Sequence, residues 1–288
     1  MLSRRGTTLA ELLIALTMAS LVLATATGSL LRQQRTSASL AARGSVMAQL
    51  HPATTAVAAQ LAQVSPAAGD FVGGEWRDTA LEFRAPVAAG ISCDVVPGAV
   101  TLATDAASLV PLGGTLSSPR AGDSLWYYSD AAASWSGRAV ADVATAATAC
   151  VGAGAGAAVR LQLGAADTVP AAVPVRITRQ MRIVIYRAGD GSWQLGLREW
   201  SDAARALAPP QPVAGPFLSG ASGLRTGFRY FDGMGAELYR DRDAGLIDRV
   251  RRVRLTLVAA SRGESAVRPS EAVQLDSVDI AVGGPHAP

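Results

Sequence analysis

The sequence predicts an α+β protein in which one long N-terminal helix precedes a β-rich domain. Residues 7–31 contain a single charged side chain, Glu11, and arginines flank this apolar run on both sides. From about Asp70 onward the hydrophobic period shortens to the alternation that is typical of strands, with turn residues between the segments. These two patterns lead us to expect a long helix packed on an antiparallel sheet.

The apolar run is long enough to cross a membrane. At 1.5 Å per residue, a helix over residues 7–31 covers roughly 37 Å, and a hydrocarbon core is about 30 Å thick. The informative residue is Glu11. A carboxylate inside an apolar helix is costly, so it indicates a functional role and a partner that neutralises it.

The next segment, residues 32–65, remains compatible with a helix but becomes amphipathic. One narrow stripe recurs every three or four residues: Met47, Leu50, Thr54, Val57, Leu61 and Val64. We therefore expect one helix over residues 7–64, with a bend near Pro52 and an end at Ser65-Pro66. Its second half should bury the stripe against the sheet.

Residues 66–288 are predicted to form the β-rich domain. The clearest hairpin joins residues 181–187 to residues 193–199 through a Gly-Asp-Gly turn. We expect residues 208–212 to be a loop and the glycine-rich residues 152–156 to be a connection. Further strands are predicted over residues 80–84, 124–128, 159–163, 224–232, 249–259 and 273–282.

The N-terminal residues carry a family resemblance. Arg4 and Arg5 precede Gly6, Glu11 follows five residues later, and the apolar run continues from there. This arrangement resembles the type IV prepilin signature. The resemblance implies a leader of residues 1–6, cleavage after Gly6, an N-methylated mature terminus at Thr7, and a role in assembly for Glu11. The family usually has Phe or Met at the position of Thr7.

Elementary electrostatics agrees with that resemblance. A free α-amine at Thr7 is a cation, and Glu11 of a neighbouring helix would neutralise it in a medium of low dielectric constant. Such a pair would set the register between one subunit and the next. The short basic N-terminus favours a cytoplasmic N-terminus, which places the β-rich domain in the periplasm.

The predicted layout of the β-rich domain extends the resemblance. The segments Phe-Arg-Tyr-Phe-Asp-Gly, residues 228–233, and Val-Arg-Arg-Val-Arg-Leu-Thr-Leu, residues 250–257, are similar to late strands of two groups. These are the J-type minor pseudopilins of type II secretion and the PilW-like minor pilins. The resemblance implies a single-pass protein of the bacterial inner membrane that enters a pilus or pseudopilus, with a place at the fibre tip. The implied partners are a prepilin peptidase, major and minor pilins or pseudopilins, and an inner-membrane assembly platform.

A second interpretation of the N-terminus is a cleaved export signal. Ala24-Thr25-Ala26 fits a signal-peptidase site, and Ser3-Arg4-Arg5 begins like a twin-arginine signal. The chain would then be a soluble periplasmic binding or enzymatic domain. Against this, the apolar run exceeds the 7–15 residues of a signal core, and Glu11 would have no use there.

The two cysteines, Cys93 and Cys150, both follow the apolar helix. In the periplasm they are expected to form a disulfide, and closing that loop would stabilise the fold by about 4 kcal/mol in the chain-entropy model. The alternative is two unpaired buried thiols. The sequence contains no CxxC motif or Cys/His cluster, so a zinc or redox site is not expected.

Catalysis has little support in the sequence. The two histidines, His51 and His286, lie without the context of a nucleophile and its base, and we do not expect an enzyme. Asp241, Asp243 and Asp248 are candidate calcium ligands, although they lack the spacing of an EF-hand. The alternative is a solvated acidic turn.

A basic run on a predicted strand holds Arg249, Arg251, Arg252 and Arg254. Arginines can neutralise phosphates, but no exposed aromatic residues alternate with these arginines, as stacking on bases would require. We expect a strand that faces solvent or protects an edge, and we do not expect nucleic acid as a partner.

Overall fold

The computed structural model describes residues 9–103, 118–130, 132–147, 157–164, 168–217, 226–260 and 273–282. The chain divides into two compact units. One comprises Met1–Ala48 and Ala260–Gln274, and the other comprises Gln49–Ala259 and Leu275–Pro288. The division falls inside a long helix, so the two parts of that helix are described separately.

Helix α1 runs from Leu9 to Leu61 and continues through Pro52. It ends three residues before Val64, which was predicted to be its last residue. The Val64 N–H instead donates to Leu61 O at 3.1 Å, in a tightened turn after the helix. The helix cannot continue beyond this turn because Pro66 has no N–H to donate and disfavours helical geometry in the residue before it. A single long N-terminal helix was predicted, and it is confirmed.

The part of α1 in the second unit buries one face. Leu50, Ala53 and Leu61 are fully buried, and Thr54 and Val57 are nearly so. The Thr54 hydroxyl donates to Leu50 O at 3.2 Å, so its burial leaves no unpaired donor. The predicted stripe is therefore confirmed from Leu50 onward.

The stripe is wrong at its first position. Met47 is 45% exposed, whereas Val46, one residue earlier, is buried. An ideal helix turns 100° per residue, so Val46 and Met47 lie on different faces. A stripe with alternating spacings of three and four residues drifts slowly around the helix, so its first residue can leave the buried face.

Fourteen strands lie in the described part of the chain. In sequence order they are β1 Phe71–Trp76, β2 Ala80–Val96, β3 Ala99–Ala103, β4 Ser124–Ser129, β5 Ser134–Ala147, β6 Ala157–Leu163, β7 Pro174–Arg187, β8 Trp193–Ser201, β9 Ala206–Leu207, β10 Gln211–Phe217, β11 Gly227–Phe231, β12 Glu237–Leu238, β13 Arg252–Ala260 and β14 Val273–Ala281. A short helix α2, Arg240–Asp243, and a 3-10 turn, Ala244–Arg249, precede β13.

Six of these strands close into a ring. The strands β2, β3, β6, β5, β4 and β7 pair antiparallel in that order, and β7 pairs back with β2. Strand β2 can close the ring because it is 17 residues long. Its first part pairs with β7, its last part pairs with β3, and a register shift beside Pro86 bends it between them.

The interior of the ring is a packed apolar core. Every ring strand contributes to it, as alternation along a strand places every second side chain on the inner side. The buried residues of the strands are Val87, Ala88, Val100, Leu102, Leu125, Tyr127, Val140, Leu161, Leu163, Val175 and Ile177, joined by Val169 from the loop before β7. Because apolar side chains fill its interior, the ring is a packed core that stabilises the fold.

The remaining strands extend this arrangement at its margins. Strand β1 pairs with β2, and β8 pairs with β7 and carries β9 and β10. A separate four-stranded sheet has the order β12-β11-β13-β14. The predicted hairpin is confirmed, with Arg187 opposite Trp193 and Met181 opposite Glu199.

Two sequence interpretations of the β-rich domain need correction. The predicted loop 208–212 ends inside strand β10, which begins at Gln211 and includes Pro212. Proline has no N–H to donate, and it is tolerated in β10 because this strand is last in the strand order and has a hydrogen-bonded neighbour on one side only. Strands β1, β3 and β5 were also not predicted, and the many alanines of β5 give it a weak hydrophobic alternation.

The carboxylate of Asp70 connects the end of α1 to the ring. Ser65 N donates to Asp70 Oδ2 at 2.8 Å, and the Arg176 guanidinium, from β7, donates to both carboxylate oxygens. The Asp70 backbone oxygen accepts from Arg84 N, in β2, at 2.7 Å. Burial raises the pKa of the Asp70 carboxyl, and its donors oppose that effect, so the charged form depends on them.

We predict that Asp70→Ala strongly destabilises the protein. The Asp70 side chain is 2% exposed and that of Arg176 is 18% exposed, so the variant leaves a largely buried guanidinium uncompensated. Removing one partner of a buried pair costs about 3–5 kcal/mol. Urea unfolding of the full chain in detergent, followed by tryptophan fluorescence, measures the loss.

The matched control is Asp142→Ala, at an exposed position of β5. It should change the free energy of unfolding by no more than about 0.5 kcal/mol. Equal unfolding midpoints for the two variants would contradict the role assigned to Asp70.

Candidate functional site

The first candidate site is the N-terminal part of α1. Glu11 lies in the first turn of the described helix, and its side chain is exposed. The predicted cleavage residue Gly6 and the predicted terminus Thr7 lie outside the described residues. The geometry between the α-amine and the carboxylate therefore stays a prediction.

The helix surface that follows Glu11 is mostly apolar. All residues from 9 to 41 are exposed in the first unit, and the large apolar side chains include Leu9, at 80%, and Leu23, at 69%. A helix that is apolar all round is suited to a membrane or to a bundle of similar helices. Among the described residues, α1 is the one helix long and apolar enough to cross a membrane. No residue of its most apolar 18-residue segment is buried.

The hydroxyl groups of this segment are paired with its own backbone. Thr17 Oγ1 donates to Ile14 O at 2.9 Å, and Thr25 Oγ1 donates to Val22 O at 2.9 Å. Ser20 and Thr27 make equivalent bonds. Because hydrocarbon offers no hydrogen-bond partner, this internal pairing lowers the cost of placing hydroxyls in a membrane.

The three candidate calcium ligands are not brought together. Asp243 Oδ2 accepts the Tyr239 N–H at 2.9 Å and faces Arg242 at 3.2 Å, and these two contacts lower the pKa of the Asp243 carboxyl. Asp241 and Asp248 are exposed in α2 and in the 3-10 turn after it. In the described ranges no group of three His, Cys, Asp or Glu side chains could hold a metal ion.

In the predicted basic run, Arg249 ends the 3-10 turn, Arg251 lies between the two elements, and Arg252 and Arg254 lie in β13. Strand β13 lies between β11 and β14, so the expectation that it protects an edge is wrong. Arg254 forms a two-point pair with Asp279, at 2.6 and 2.7 Å, and the Arg252 guanidinium lies 4.5 Å from the centre of the Phe231 ring. These arginines thus have partners on the same sheet, as expected of a solvated face.

Cys93 lies in β2 and is disulfide-bonded. The sequence contains one other cysteine, Cys150, which lies outside the described residues.

A second candidate site is a cleft of about 640 Å³, whose lining residues include Trp76, Asp78, Tyr230, Glu237, Tyr239 and Asp241. The rings of Trp76 and Tyr230 meet edge to face, with centres 5.2 Å apart. The Tyr230 hydroxyl donates to Arg77 O at 2.8 Å. Burial and the nearby Asp78 carboxylate raise the pKa of Tyr230. This hydroxyl therefore remains a neutral donor, committed to the protein.

The outer wall of the cleft contains an ion pair. The Arg229 guanidinium makes two hydrogen bonds to the Glu237 carboxylate, the first of them 2.7 Å long, which lowers the pKa of Glu237. The Tyr239 hydroxyl also hydrogen-bonds to Glu237, and this bond raises the pKa of Tyr239. Sequence reasoning missed the cleft, because Trp76 and Tyr230 are more than 150 positions apart and belong to different sheets.

The chain was compared with family models, with curated proteins and with solved structures, and none of them matches it.

We predict that reduction destabilises the protein. For the Cys93–Cys150 loop expected from the sequence, the chain-entropy model gives a loss of about 4 kcal/mol, because the unfolded chain regains the freedom that the disulfide removes. Thermal unfolding of the full chain with and without a reducing agent measures the difference. A Cys93→Ser/Cys150→Ser double variant should no longer respond, and an unchanged midpoint for the reduced wild type would contradict the prediction.

Proposed function

We propose that this protein is a minor pilin or pseudopilin. It is anchored in the bacterial inner membrane by α1, cut after Gly6 by a prepilin peptidase, and assembled into a type II secretion pseudopilus or a type IV pilus. One observation carries this proposal: the N-terminal part of α1 is apolar and exposed all round, yet carries a carboxylate, Glu11, near its start.

The exposed helix serves two environments in turn. Before assembly, lipid covers its apolar side chains, and the backbone-paired hydroxyls of Thr17 and Thr25 make that possible. In the fibre, the same side chains contact helices of neighbouring subunits. Association then depends on van der Waals packing and on the polar groups that the helices bring with them.

Glu11 supplies the register of assembly. Cleavage leaves a cationic α-amine on Thr7, and the Glu11 carboxylate of one subunit pairs with the amine of the next. In an apolar surrounding, a pair that is out of register leaves two charges uncompensated, which costs several kcal/mol. Wrong positions are thereby penalised more strongly than apolar packing alone could penalise them.

The β-rich domain remains outside the membrane. Its closed ring leaves no free edge among the six strands that form it, and the disulfide at Cys93 suits an oxidising compartment. We place the domain in the periplasm with the N-terminus in the cytoplasm, at the tip of the fibre. Its partners there are other major and minor subunits and the assembly platform, and its role is not enzymatic.

The test is incorporation of a Glu11→Ala variant into fibres. Cleavage should proceed as in the wild type, because Glu11 lies beyond the cut site. Incorporation should fall at least about tenfold, the equivalent of 1.4 kcal/mol or more for a lost charge pair. Quantitative immunoblots of membrane and sheared-fibre fractions give both values.

The control for this test is Thr17→Ala, which removes a polar group that is already paired within the helix. Its incorporation should equal that of the wild type. Normal incorporation of Glu11→Ala, or an equal loss in Thr17→Ala, would refute the role given to Glu11.

A further inference from the structure

Strand β14 has an open edge. It is the last strand in the order β12-β11-β13-β14, and within the described part of the chain β13 is its one hydrogen-bonded neighbour. It is 9 residues long and contains no proline. A strand of this kind presents a row of backbone N–H and C=O groups to which another strand can pair.

The strands at the other ends of the two sheet orders are each blocked. Strand β12 is two residues long, and β10 contains Pro212 and Pro216, which have no N–H to donate. The register between β1 and β2 shifts between Phe71 and Trp76. Short length, proline and irregular register are common means of protecting an edge, and β14 is neither short nor interrupted by proline.

One hydrogen bond shows which backbone groups of β14 point away from β13. The Val282 N–H donates to Arg251 O at 2.9 Å, so residue 282 directs its N–H toward the β13 side. Along an antiparallel strand, the backbone groups of successive residues point to opposite sides. Ala281, Asp279 and Ser277 therefore direct their N–H and C=O groups outward, and all three residues are exposed.

The charge on this edge is already neutralised within the sheet. Asp279 is the one charged residue in the segment 277–282, and its carboxylate makes a two-point pair with Arg254, at 2.6 and 2.7 Å. A charge on an edge strand normally discourages pairing with another chain, and the pair with Arg254 weakens that protection. The alternate residues Ile280 and Val282 are buried, which fixes the face that β14 turns to the core.

The sequence after β14 does not suit a strand on this edge. A tight hairpin at Gly283-Gly284 would need residues 282 and 285 to exchange backbone hydrogen bonds. The Val282 N–H is already used by Arg251 O, and Pro285 has no N–H to donate. A strand added to β14 is therefore expected to come from another chain.

We propose that β14 pairs with β14 of a second copy of this chain, antiparallel and centred on Ser277. The two edges are identical, so their outward backbone groups alternate in step in this arrangement. Ser277 then lies opposite Ser277 of the second copy, and both side chains are small. Asp279 lies opposite residue 275, four positions away from Asp279 of the second copy, so these two carboxylates do not face each other. This interface goes beyond fibre assembly through α1 and does not depend on Glu11.

Cysteine cross-linking of the full chain in neutral detergent tests this pairing. In the proposed register the two Ser277 Cα atoms belong to a hydrogen-bonded pair and lie about 5.5 Å apart, a separation that a disulfide can bridge. Under mild oxidation, Ser277→Cys should form a covalent dimer that is visible on a denaturing gel and is lost on reduction. Cys93 is already disulfide-bonded and does not compete for the new thiol.

The matched control is Ala281→Cys, at another exposed position of the same edge. In the proposed register Ala281 lies about eight positions, or roughly 27 Å, from its copy, which is beyond the reach of a disulfide. Ser277→Cys should therefore cross-link at least about tenfold faster than Ala281→Cys. Association through α1 brings both variants together equally and cannot produce this difference. Equal rates, or no dimer with either variant, would overturn the proposal.

A proline tests the part played by the outward backbone groups. Ala281→Pro, added to Ser277→Cys, removes one outward N–H and leaves the hydrogen bonds to β13 in place. The cross-linking rate should fall at least about threefold, as expected for lost hydrogen bonds across the interface, while the thermal midpoint stays that of the parent. An unchanged rate would contradict pairing through the β14 backbone.

Removal of residues 283–288 distinguishes a second copy from the chain's own C-terminal residues as the occupant of the edge. A Ser277→Cys chain that ends at Val282 should cross-link at the same rate as the longer Ser277→Cys chain. A rate at least about threefold higher would mean that the removed residues cover the edge, and it would contradict the proposal.

Discussion

The buried carboxylate of Asp70 is the interaction on which the arrangement of the second unit depends. It accepts a backbone N–H from Ser65, just beyond the end of α1, and two guanidinium donors from Arg176 in β7. A carboxylate that is 2% exposed is costly unless such donors surround it. Because the donors come from the helix end and from the ring, the chain must leave the helix at one position and in one direction.

The ring supplies the rigid support for that connection. Its closure between β2 and β7 gives both strands hydrogen-bonded neighbours on each side, and its interior is filled by apolar side chains from all six strands. The Arg84 guanidinium, from β2, lies 4.8 Å from the centre of the Trp126 indole in β4. This cation–π contact adds a link between two strands of the ring close to Asp70. The helix that ends at Leu61 therefore joins a closed ring of strands whose interior is filled.

Local sequence patterns predicted what depends on neighbouring residues. The period of α1, the burial of Leu50 and Leu61, and the hairpin at Arg187 and Trp193 could all be read from short stretches. The closure of the ring, the pairing of Asp70 with Arg176 across 106 positions, and the cleft beside Trp76 could not. They depend on which distant strands become neighbours, and hydrophobic alternation carries no information about that choice.

The central claim is that the N-terminal helix is kept and carries a cleaved and modified end. Intact-mass and N-terminal analysis of the protein isolated from its own membranes tests this most directly. The account predicts a chain that begins at Thr7 and carries one added methyl group on its α-amine. A chain that begins at Thr27, which has lost Glu11 and most of the apolar run, would contradict it and would indicate an exported soluble domain.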